Sequence, residues 1–134
     1  MKSMKVSVFG NRDLKEDSLA VELVGDLKKK FPEFEFKTED PAEGLKPPSA
    51  AAGWVILDVA KGVDKAEVLE DVDKLESARR VSLHDYDVGM ELKLLKKLGK
   101  IKSLKIVVIP MGMKKERALK QVVEVLESLQ GRTL

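Results

Sequence analysis

Cysteine is missing from this chain. Its absence excludes disulfides, thiolate nucleophiles, iron–sulfur clusters and thiolate zinc sites. Histidine occurs once, at His84. A two-histidine zinc helix is therefore impossible. A Ser–His–Asp triad would have to use His84, and the sequence has no Gly-x-Ser-x-Gly elbow. There is no P-loop. Gly10 stands alone after the first apolar run, so the dinucleotide fingerprint is missing too. No apolar run approaches the roughly 20 residues of a membrane span. The run that follows Met1-Lys2-Ser3-Met4-Lys5, Val6 to Phe9, is too short for a signal-peptide core. A cytoplasmic protein with no membrane partner is expected. Excess charge of one sign is lacking as well: 25 Lys plus Arg stand against 23 Asp plus Glu. That argues against a nucleic-acid partner, which calls for a basic face.

What is present is one domain's worth of chain, residues 1–134, enough to bury roughly 68% of its unfolded surface. Val6-Ser7-Val8-Phe9 reads as a first strand, stopped by Gly10-Asn11. Ala20, Leu23, Val24, Leu27 and Phe31 follow at the spacing of an amphipathic helix, with Asp17 or Ser18 as its N-cap and Pro32 at its end. Phe34-Glu35-Phe36 alternates as a second strand. Thr38 to Gly53 contains Pro41, Gly44, Pro47, Pro48 and Gly53 and reads as a long loop with one helical turn near Ala42 to Leu45. Val55-Ile56-Leu57-Asp58, extended by Val59 and Ala60, is a β-branched apolar run that ends on a carboxylate. It predicts a buried central strand. Full burial of an Asp needs a partner, so Asp58 is expected at the strand's carboxyl mouth, where open α/β sheets bind ligands.

Glu67 to Asp73 reads as an edge strand, with Arg79 to Leu83 returning beside it. Val88, Leu92, Leu95 and Leu98 share one side of a helix that Gly99 caps. Leu104 to Ile109 is another unbroken apolar strand, ended by Pro110. A last helix from about Lys114 to Gln130 carries Ala118, Val122, Val125, Leu126 and Leu129, and Gly131 closes it. The alternation predicts an α/β three-layer sandwich with a mostly parallel sheet flanked by helices and antiparallel edge strands.

The remaining chemistry lies at strand ends: Asp17 opening the first helix, Asp58, and His84 in the loop entering a later helix. Two oxygen donors and an imidazole suit a divalent transition metal such as nickel. Each residue also has a plainer role. Asp17 suits a helix cap, Asp58 can pair with Lys61 or accept backbone N–H groups, and His84 beside Asp85 and Asp87 suits a hydrogen-bonded surface histidine.

Four stretches in order nonetheless resemble the NiFe-hydrogenase maturation endopeptidases. They are Gly10-Asn11-x-x-Leu14-x-x-Asp17 with its acidic pair Glu16-Asp17, the strand ending in Asp58, Ser82-Leu83-His84-Asp85-Tyr86-Asp87-Val88 in the form of archaeal members, and Val107-Val108-Ile109-Pro110. Val8 replaces the family's first glycine, Ser18 and Ala20 stand where glycines are common, and Thr38 to Gly44 replaces a Gly-Gly-Thr-like element. The resemblance implies a protease that removes a short C-terminal peptide from the hydrogenase large-subunit precursor after nickel loading. It implies Asp17, Asp58 and His84 as the catalytic and nickel-contacting set, with the nickel carried by the precursor and no permanent cofactor. Asn11 is a candidate oxyanion contact. Two alternatives remain: a non-enzymatic small α/β binding module and a nickel chaperone.

Overall fold

The structure is a computed structural model that describes residues 4–9, 19–39, 46–48, 53–60, 64–69, 86–101 and 104–132. Its sheet has five strands: β1 (Met4–Phe9), β2 (Phe34–Glu39), β3 (Gly53–Ala60), β4 (Glu67–Leu69) and β5 (Leu104–Pro110). The helices are α1 (Leu19–Glu22), α2 (Val24–Lys30), α3 (Tyr86–Lys97) and α4 (Lys115–Arg132). Strand order is β2-β1-β3-β5-β4. All neighbours are parallel except β4, which runs antiparallel to β5. The mostly parallel sheet between helices follows the expectation. The antiparallel edge strand follows it too, three residues long and with β5 as its partner. The expected partner strand, Arg79 to Leu83, lies outside the described residues.

Period-two alternation sorts the central strands onto two faces. Val6 and Val8 of β1, Val55, Leu57 and Val59 of β3, and Val107 and Ile109 of β5 join one buried cluster. Leu19, Ala20, Leu23, Leu27 and Phe31 reach it from α1, α2 and the turn beyond. Ala118, Val122, Leu126 and Leu129 reach it from α4, at the three- and four-residue spacing of one helix face. Phe9, Trp54, Ile56, Ile106 and Val108 face the other way and are met by Leu92 of α3 and by Ile101. These are the three layers. Strands buried on both faces are unbroken apolar runs for this reason.

Four local expectations need correction. The single helix from Ala20 to Phe31 is two helical pieces joined at Leu23, whose N–H bonds back to the Ala20 carbonyl at 3.2 Å. Leu23 keeps helical dihedrals, so the path tightens for one turn. Thr38 belongs to β2, paired with Val8. Gly131 does not end the last helix, which runs on to Arg132. Leu98 does not share the buried side with Leu92: it falls past the last helical residue of α3 and is 62% exposed.

Gly99 does close α3, with φ of +75°. Its N–H donates to the Lys96 carbonyl at 3.1 Å, and that of Lys100 donates to Leu95 at 2.9 Å. These two bonds form a Schellman cap.

Candidate functional site

The sheet contains one topological switch. From β1 the chain passes through α1 and α2 to β2 at the edge, then returns to the opposite flank of β1 as β3. The connections leaving β1 and β3 therefore diverge, which opens a crevice at the carboxyl ends of these two strands. The pairing of β1 with β3 runs from Met4↔Gly53 to Val8↔Leu57. Asp58 is the next residue. On its other flank the ladder continues, with Asp58 opposite Val108 and Ala60 opposite Pro110. Asp58 thus stands where β3 outruns its ladder with β1, at the mouth of the crevice.

Its position at the mouth matches the expectation, but its burial does not. Asp58 is only 3% exposed. Alternation puts it on the face of Trp54 and Ile56, and that face is enclosed by the cluster holding Phe9, Leu92 and Val108. A carboxylate in such surroundings needs hydrogen-bond partners. Its Oδ1 accepts the backbone N–H of Val59 at 2.8 Å. This is a charge-assisted contact that fixes the group's orientation from its own strand. Lys61, the alternative partner, lies outside the described residues.

Asn11, Asp17 and His84 also lie outside the described residues, so the expected convergence on Asp58 is untested. The elements that flank them are described. The connection holding Asn11 and Asp17 leaves β1 at Phe9, the carboxyl end of that strand, and enters α1 at Leu19. His84 precedes the start of α3 at Tyr86 by two residues. The far end of α3, at Lys97, is joined to the amino end of β5, at Leu104, by a short link. A helix of this length spans about 18 Å, and its Leu92 and Leu95 pack on the sheet face that carries Asp58. Among the described residues, no three His, Asp or Glu side chains form a metal-holding group.

One polar residue near the site is missed by the sequence reading. Ser7 is fully buried, on the same face as Asp58, and its Oγ accepts the indole N–H of Trp54 at 2.9 Å. The available signal was a lone hydroxyl inside the apolar run Val6-Ser7-Val8-Phe9. Lys5, also on that face, reaches Glu39 of β2 at 2.9 Å and the Lys46 carbonyl at 2.6 Å. One ammonium therefore ties the end of β2 to the chain returning toward β3.

No family model matches the sequence, nor does any curated protein. Solved structures do share the fold. The NiFe hydrogenase maturation protease HybD from Thermococcus kodakarensis aligns over 96% of this chain and 99% of its own, with a TM-score of 0.66 and 18% identity. The hydrogenase maturating endopeptidase HybD from E. coli aligns over 96% and 93%, with a TM-score of 0.63 and 18% identity. A hydrogenase 2 maturation peptidase from Thaumarchaeota archaeon SCGC_AB-539-E09 aligns over 96% and 98%, with a TM-score of 0.55 and 19% identity. The chain has the fold of the hydrogenase maturation proteases along nearly its whole length.

Proposed function

We propose that this protein is an endopeptidase that removes the C-terminal extension of a nickel-loaded NiFe-hydrogenase large-subunit precursor in the cytoplasm. The observation that carries this reading is Asp58. It is a buried, oriented carboxylate at the switch-point crevice, in a chain with the fold of hydrogenase maturation proteases. Such a fold hosts chemistry at this crevice and nowhere else as readily.

In the proposed mechanism Asp17, Asp58 and His84 contact the nickel that the precursor brings with it. Two carboxylates and an imidazole are suitable donors for that ion. The contact registers that nickel has been inserted, and it fixes the scissile amide. Water then adds to the amide carbonyl, the C–N bond breaks, and the proton passes to the leaving nitrogen. A carboxylate of the set serves as general base, and the substrate's nickel adds Lewis acidity. Asn11 is the candidate donor to the developing oxyanion. The protein itself keeps no permanent metal.

The test is intact-mass analysis of the precursor after incubation with the protein. Trimming of the nickel-loaded form alone supports the reading. Tight nickel binding by the isolated protein without trimming would identify a nickel chaperone instead. Neither trimming nor nickel binding would leave a non-enzymatic α/β module.

A further inference from the structure

Only two large apolar side chains are exposed among the described residues, and both are on one ridge. Leu94 of α3 is 56% exposed and Leu98, at its end, is 62% exposed. The Leu98 N–H donates to the Leu94 carbonyl at 3.0 Å, so the two lie one above the other on the last turn. Their exposure is not a failure of the helix to pack. Leu92 is fully buried and Leu95 packs against the cluster of Trp54, Ile56 and Ile106. The stretch Leu92 to Ile101 holds four lysines and no acidic residue, in a chain whose net charge is +2. Lys96, Lys97 and Lys100 are exposed around the ridge. Cations at a helix C-terminus complement its dipole, but that leaves the leucines unexplained.

We propose that this ridge docks the protein substrate, through an acidic surface of the precursor that surrounds an apolar pocket. The inference rests on the processing reading above. A second copy of this chain is the wrong occupant, because its lysines would meet these lysines and repel them. A lipid surface is also a poor fit, since the main apolar face of α3 is turned into the core and only two leucines remain outside. A protein pocket needs no more than that: a few apolar anchors carry most of the energy of an interface, and the charged surround sets orientation and encounter rate. The ridge lies on the helix whose Leu92 and Leu95 pack on the sheet face that carries Asp58. A precursor docked there lies on the same side of the sheet as Asp58.

The experiment compares processing of the nickel-loaded precursor by the unaltered protein, by Leu94→Ser/Leu98→Ser and by Lys96→Glu/Lys97→Glu. All four positions are exposed, so the variants keep the fold. The leucine variant is expected to raise KM by about tenfold with kcat unchanged, the size of a lost interface anchor. The lysine variant is expected to raise KM and to lose the rise of KM with added salt that the unaltered protein shows. Unchanged KM in both variants would overturn the docking ridge and leave the protease standing. Sedimentation with phosphatidylserine–phosphatidylcholine vesicles, lost in the leucine variant while KM stays unchanged, would assign the ridge to a membrane and overturn it too. No trimming by the unaltered protein would bring down the processing reading, and the ridge's role with it.

Discussion

Asp58 is buried on the sheet face that carries the Trp54 and Ile56 cluster, and the Val59 N–H at 2.8 Å orients its carboxylate. Burying a carboxylate costs free energy that its partners must offset, and its place at a ligand-binding strand mouth gives it a role outside the fold. Asparagine at this position keeps an acceptor for Val59 and removes the charge. Asp58→Asn is expected to melt at the same temperature or higher and to process the precursor at least about a hundredfold more slowly. Thermal melts and trimming rates on the same sample check this. A variant that unfolds early would make Asp58 a structural residue. Ser7 is the opposite case, a buried polar group that serves the fold. Ser7→Ala leaves the Trp54 indole N–H without its acceptor and is expected to lose about 1–3 kcal/mol of stability, read from a denaturant titration. An apolar run ending on an acid made Asp58 legible from the sequence. Ser7 was not legible, because its acceptor role depends on an indole 47 positions away.

At the scale of the element, local chemistry was read well where one residue type decides the outcome. Gly99 ends α3 because its φ of +75° suits a residue without a Cβ. Adding a Cβ there meets no neighbouring atom, so Gly99→Ala is expected to cost about 1–2 kcal/mol through backbone conformation alone, measured as a shift of the denaturation midpoint. Central strands were legible for a similar reason: burial on both faces leaves an uninterrupted apolar run. Elements at the margin were not. The edge strand was read from Glu67 onward, but its short length and its pairing with β5 have no local mark. Periodicity placed Leu98 with Leu92, yet Leu98 stands at the capping position just before Gly99 and stays exposed. Period alone cannot say where a helical face stops meeting the core.

At the scale of the molecule, the layers follow from alternating elements, whereas the order β2-β1-β3-β5-β4 is a pattern of distant pairings with no local mark in the chain. That order creates the crevice, so the site was only half legible. Asp58 could be named, and the strand it would face could not. Under the proposed function, the carboxyl edge of this sheet reads the nickel carried by a precursor. Nickel K-edge X-ray absorption of the loaded precursor tests it, measured alone, with the unaltered protein, and with Asp17→Asn, Asp58→Asn or His84→Ala. The account predicts added oxygen and nitrogen neighbours around nickel when the unaltered protein binds, and fewer with each variant. A nickel spectrum unchanged by the unaltered protein, while trimming proceeds, would contradict it.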